Sequence, residues 1–326
     1  MTIHCDQLTY LMDIIYLDQN QWIELAKVRS GKATESWLTS LSEELENAVK
    51  NGKVLFPLSG THILETSKRN DPASRRHVAE IQAVLSLGCA YRSYTSRLQV
   101  EIKGIIHRLL DLHPFEMPKN WFLGRSFLQA FEPADALVAE PLDALRFMRI
   151  ESAFDPKYLY LDYMQNQDDA TRRIAHQKLE EGLRQLIERN EKRRALCQGE
   201  SIDLRRRVYR ARQFLDVQDT VIKLMTQLGI SYEKFRALGD VAVKSIVELS
   251  PTLDVEAEFS ARIDARAKSL NTHDALDLQA IYTAIPYSSH VIAEKSAISI
   301  AQQAKLDKKY KVKLSRSLQD LVGVYA

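Results

Sequence analysis

The chain has 326 residues, 45% of them hydrophobic and 27% charged, the balance of an ordinary globular protein with enough length for a sizeable core. A net charge of +2 is too small for the global field to argue for nucleic acid. No stretch reaches the roughly 18 to 20 apolar residues of a membrane span, and no charged-then-apolar secretion signal opens the chain.

A cytoplasmic location with no membrane partner is therefore expected. Cys5, Cys89 and Cys197 are far apart and show no CxxC or Cys/His spacing, which suits a reducing compartment. Residues 1–11 precede Met12 and read as a loose extension or an upstream start.

Residues 14–17, Ile-Ile-Tyr-Leu between Asp13 and Asp18, predict a short buried strand. A helix follows over 20–28, and Trp37, Leu38, Leu41, Leu45 and Val49 predict a second, amphipathic one. Asn51-Gly52 is its stop signal. Residues 54–58 predict another buried strand, with Pro57 near its end. Ser59 is placed to cap the helix bearing Ile63, Leu64 and Glu65. Asn70-Asp71-Pro72 breaks the chain before a helix at 73–86. A third strand is expected near 89–94, then a helix through Leu98, Ile102, Ile105, Ile106 and Leu109.

The pattern changes over 111–265. Long helical segments rich in Arg, Glu, Leu and Ala appear, with no convincing strand. Beyond 266 the alternation returns: a helix over 274–282, a break at Pro286, a strand at 290–293, a helix at 298–305 and an edge strand at 311–314. The expected fold class is α/β: a central parallel sheet flanked by helices. The expected division is a core over 1–110 and 266–326, interrupted by a mainly α-helical insertion at 111–265.

Parallel sheets bind ligands beyond the carboxyl ends of their strands. Asp18 ends the first strand, Glu65 lies in the helix after the second, and Glu294 follows the last clear strand. Asp274 and Asp277 share a face of the preceding helix. Clustered carboxylates repel, and hard oxygen donors suit Mg2+ or Mn2+. Taken singly, each has a plainer reading. Asp18 caps a helix as readily as it holds a metal, Asp274 or Asp277 could cap too, and Glu65 and Glu294 suit solvated positions.

Together these motifs resemble the PIN-domain superfamily of metal-dependent nucleases. Residues 14–22, an apolar strand ending in Asp18 with Asn20 two places on, look like its opening motif. Residues 58–65, with Ser59 and then Glu65, look like the second. Residues 274–280, then 286–287 and 291–295, look like the third and fourth.

The resemblance covers about 13–110 and 266–326 and is similar to a subgroup with a large helical insertion. It implies a PIN-like sheet and a Mg2+ or Mn2+ site on Asp18, Glu65 and Asp277, with Asp274 a rival for the third place. It further implies hydrolysis of RNA, single-stranded or in structured loops, with Asp274 or Glu294 orienting the attacking water. Glu294 stands where Asp is more usual, and Ser289 where a further acid is expected. Substrate contacts are expected from Asn20, His62 and Lys295, although a lone His more often serves structure. Many such nucleases are toxins or defence effectors, so an inhibitory or antitoxin protein is an expected partner.

Residues 182–212 hold ten Arg or Lys against four Asp or Glu. Arginine suits bidentate phosphate contact, so Arg205, Arg206 and Arg207 are expected to touch RNA, with Tyr209 stacking on a base. The plainer reading is a solvated face with intrahelical ion pairs. Helical insertions also form interfaces, which makes a homo-oligomer an expected assembly. Two alternatives stand beside the nuclease: a catalytically weak PIN-like scaffold that binds RNA or protein, and a helical docking protein.

Overall fold

Four successive buried side chains, Ile14, Ile15, Tyr16 and Leu17, are what a strand covered on both faces requires. They form most of β1 (Asp13–Leu17) in a computed structural model that describes residues 12–135, 137–138, 140–266 and 271–326. The side chains of Ala175, His176, Leu179, His273 and Asp277 lie outside that description. The chain is mostly helical, with a small parallel sheet of four strands. Two compact units divide it: one of 12–93, Lys119–Glu181 and Thr283–Ala326, the other of Tyr94–Pro118 and Gly182–Tyr282.

In the first unit, β1 leads through α1 (Gln19–Arg29) and α2 (Ser36–Lys50) to β2 (Val54–Leu55). Ser59 caps α3 (Gly60–Ser67), and Asp71 caps α4 (Pro72–Ser86). After α13 (Thr272–Ala284) come β5 (His290–Ile292), α14 (Lys295–Gln303), α15 (Leu306–Tyr310) and β6 (Lys313–Ser315).

The sheet order is β2-β1-β5-β6, and every neighbouring pair is parallel. Leu17 stands opposite Ile292, and the Asp18 N–H donates to the Ile292 carbonyl at 2.9 Å. The ends of β1 and β5 are thus level. The connection from β1 runs to β2 on one side, and that from β5 runs to β6 on the other. The crevice between two such diverging connections is where open parallel sheets place ligands.

The core of this unit gathers Trp22, Leu25, Leu41, Leu45, Phe56 and Ile63 around β1. It is completed by Phe127 and by Tyr160 and Met164 of α7 (Pro156–Asn166). In the second unit, Leu98, Ile102, Ile105 and Ile106 of α5 (Tyr94–Leu109) pack with Val217, Val221 and Leu224 of α9 (Ile202–Gln227). Helices α11 (Asp240–Leu249) and α12 (Pro251–Asp264) close that core.

The division differs from breaks at 110 and 265. Tyr94–Pro118 goes with the helical unit, and Lys119–Glu181 with the sheet unit. The apolar faces decide: α5 buries its isoleucines among helices, while Phe127, Tyr160 and Met164 enter the core beside the sheet. Two strand expectations are also corrected. Residues 54–58 pair with β1 only at Val54–Leu55, and Leu58 instead bridges Ala90. A strand does occur within 111–265. Leu123–Gly124 (β4) pairs antiparallel with Ala90–Tyr91 (β3), outside the main sheet. Two residues are too few to show a period.

Candidate functional site

Asp18 sits where the chain turns from β1 into α1. Its Oδ1 accepts from the N–H groups of Asn20 at 3.0 Å and Gln21 at 3.2 Å. Those are the unpaired donors of a helix start, and an aspartate satisfies them well. The capping reading of Asp18 is therefore true, and it fixes the carboxylate at the sheet edge.

Glu294, the residue before α14, is exposed, and its Oε1 accepts from Asn20 Nδ2 at 2.7 Å. Asn20 thereby ties the two helix starts together across the crevice. A buried relay braces the Glu65 helix. Gln19 donates to Thr66 Oγ1 at 3.2 Å, Thr66 donates to Gln82 at 3.0 Å, and the Tyr160 hydroxyl donates to Gln82 at 2.6 Å. Sequence reading missed this relay. Its one sequence signal is the polar Gln82 between Ile81 and Ala83 of α4, which the fold buries fully.

The acids feel one another. Asp18 is raised from 3.8 to about 6, first by burial and then by the negative charge of Glu294. The N–H groups of Gln21, Asn20 and Glu294 pull the other way. Glu65 is raised as well, mainly by burial, with the charge of Asp18 adding to the rise and Lys68 and Arg69 opposing it. Losing water destabilises a carboxylate, and a like charge nearby does the same. Such a pair can hold a proton near neutral pH or bind a cation once ionised.

Hard carboxylate oxygens fit Mg2+ or Mn2+ in kind. Among the described residues, however, no three His, Cys, Asp or Glu side chains are grouped closely enough to enclose a metal. Asp277, expected as the third ligand, falls outside the described side chains. Asp274 belongs to the other unit. Its Oδ2 accepts from the Asn271 N–H at 3.0 Å while its own N–H donates to Asn271 Oδ1 at 2.9 Å, a reciprocal cap at the start of α13. Ser289 is engaged with the backbone, donating from Oγ to the Ile14 carbonyl at 3.0 Å. Lys295 is exposed at the first turn of α14.

His62 is corrected as a substrate contact. It is 1% exposed, stacked on Tyr16 with ring centres 5.0 Å apart and edge-on to Trp22 at 6.0 Å. Its Nδ1 accepts from the Ser59 N–H at 3.1 Å, completing the cap of α3. Burial pushes its pKa from 6.5 to about 3, so the ring is a neutral structural group.

The arginine run is also redirected. Arg205 is buried and donates to the Glu200 and Asp264 carbonyls, both at 3.0 Å. Arg206 pairs with Asp203 and, at 3.1 Å, with Glu258. Tyr209 is buried, its hydroxyl donating to Glu256 at 2.8 Å and its ring lying 4.1 Å from the Arg193 guanidinium. Tyr209 thus has no face to offer a base. Arg207 alone of these four is exposed. The arginines form the polar seam between α9 and α12, where burial demands a partner for each charge.

The arrangement places the half-buried carboxylates of Asp18 and Glu65 and the exposed Glu294 after three strands of one parallel sheet. No known family model, no curated protein and no solved structure matches this chain.

Proposed function

We propose that this protein is a PIN-like, metal-dependent endonuclease that hydrolyses RNA phosphodiester bonds. One observation carries the reading: Asp18, Glu65 and Glu294 follow three strands of one sheet, where the charge of Glu294 adds to the raised proton affinity of Asp18 and the charge of Asp18 adds to that of Glu65. That arrangement destabilises the apo protein unless a cation or proton balances it.

Asp18 and Glu65 would hold Mg2+ or Mn2+, with Glu294 beside them. A divalent cation there neutralises carboxylate charge and polarises a phosphate. The rest falls to the chain. The α1 N–H groups orient Asp18, Asn20 holds Glu294, and Lys295 supplies a positive charge for a phosphate oxygen. Glu294, exposed and held on one oxygen, would orient the attacking water. A toxin or defence role with an inhibitory protein partner belongs to the same proposal.

The second reading is a catalytically weak scaffold, favoured by Glu294 and Ser289 standing where the family pattern expects Asp and a further acid. Purified protein and an Asp18→Asn variant, each incubated with total RNA and Mg2+ or Mn2+, separate the two. Cleavage by the parent alone supports the nuclease. Equal cleavage by both rejects the site. Tight, salt-sensitive RNA binding without cleavage supports the scaffold.

A further inference from the structure

Helix α9 carries two apolar faces. One, including Tyr209, Val217, Val221 and Leu224, is buried within its unit. The other faces solvent. Leu204, Val208, Ala211, Leu215, Gln218 and Ile222 are spaced alternately four and three residues apart. That is the a/d rhythm of a helix that packs along another helix. Val208, Leu215 and Ile222, seven apart, are 39%, 60% and 40% exposed. Isolated exposed apolar residues are ordinary, whereas a heptad seam on a helix whose core face is already satisfied is a contact surface without its partner.

We propose that this seam joins two copies of the chain, with their α9 helices antiparallel about a two-fold axis at Leu215. Reversal about Leu215 sets Val208 against Ile222 of the partner subunit and brings the two Leu215 side chains together. Charge selects this direction. At about 100° per residue, Arg212 and Asp219 lie on the same edge of the seam, three residues before and four after Leu215. Antiparallel pairing puts Arg212 beside Asp219 of the partner subunit, twice. Parallel pairing instead sets Arg212 toward Arg207 of the partner subunit and Asp219 toward Phe214 of the partner subunit, and forms no such ion pair.

Both charged groups are exposed. The present partner of Arg212 is Asp216 of its own helix at 3.2 Å. Exposed pairs of that kind contribute little, and Asp216 stands further round from the seam. Arg207 and Lys223 fall on opposite edges and do not meet. The apolar seam is short, so the association is weak, with a dissociation constant on the order of micromolar.

Sedimentation equilibrium of the full chain from about 1 to about 300 µM is expected to show a monomer–dimer equilibrium. Leu215→Asp places two carboxylates at the axis and is expected to raise the dissociation constant at least about tenfold. Its exposed position leaves folding intact, checked by an unchanged circular dichroism melt. Arg212→Asp and Asp219→Arg are each expected to weaken the dimer, and the double variant to restore it.

Cysteine cross-linking under copper phenanthroline, in a Cys5→Ser background with Cys89 and Cys197 buried, fixes direction. Leu215→Cys is expected to cross-link to itself. Val208→Cys is expected to link only when mixed with Ile222→Cys. A monomer at every concentration, a dimer indifferent to Leu215→Asp, or Val208→Cys linking to itself would overturn the proposal.

Discussion

Asp18 is held where its charge costs stability, and the cost is measurable. Its pKa rises from 3.8 to about 6 in the folded chain. At about 1.4 kcal/mol per unit the shift corresponds to about 3 kcal/mol. Asp18 is partly exposed, and solvent screening reduces this to about 1–2 kcal/mol.

The native state binds this proton more tightly than the unfolded chain does. The destabilisation from Asp18 is therefore absent below about pH 3.8, grows as pH rises, and is fully present above about pH 6. Asp18→Asn removes the charge but keeps an oxygen to accept from Asn20 and Gln21, and Asn caps as well as Asp. The variant is expected to gain about 1–2 kcal/mol at about pH 8 and almost nothing at about pH 3.5. Asp18→Ala forfeits the cap as well, about 1 kcal/mol, so its gain is smaller.

Urea unfolding followed by tryptophan fluorescence measures this directly, because Trp22, Trp37 and Trp121 all lie in the first unit. A variant no more stable than the parent at about pH 8, or equally stabilised at about pH 3.5, would refute the reasoning.

Three further outcomes are expected. Under the proposed function, saturating Mg2+ or Mn2+ raises the urea midpoint of the parent at about pH 8 and leaves Asp18→Asn unmoved, because a ligand stabilises only the state that binds it; equal shifts would remove the metal from the site. His62, lowered to about 3 by burial, is expected to keep constant ring NMR shifts between about pH 5 and 8; a titration there would show the ring open to water. Arg205→Ala is expected to lower the thermal stability of the second unit by about 2–3 kcal/mol, since it removes two charge-assisted hydrogen bonds. The exposed Arg207→Ala is expected to change it by less than about 0.5 kcal/mol, read by circular dichroism; similar losses would contradict the burial difference.

Much of the fold is legible locally. The stop at Asn51-Gly52, the caps at Ser59 and Asp71 and the buried run of β1 each follow from a few adjacent residues. The strand β6, expected at 311–314, forms at Lys313–Ser315. Failures occur where one residue type serves two ends. The arginines of residues 182–212 have the composition of a phosphate surface, yet Asp264 and Glu258 of α12 engage Arg193 and Arg206. His62 looks like a group facing substrate, yet Tyr16 and Trp22 enclose it.

Period, caps and breakers, read along the sequence, determined which segments are helices or strands and which acids fall at strand ends. Those properties depend on backbone sterics and neighbours within about one turn. Tertiary structure alone decided that β1 lies between β2 and β5, that Asn20 reaches Glu294, and that α9 spends most of its arginines internally. It also decided the proton affinity of Asp18. That affinity depends on burial and on the charge of Glu294, 276 positions away in the chain. Electrostatics acts through space, so no local pattern around Asp18 encodes it.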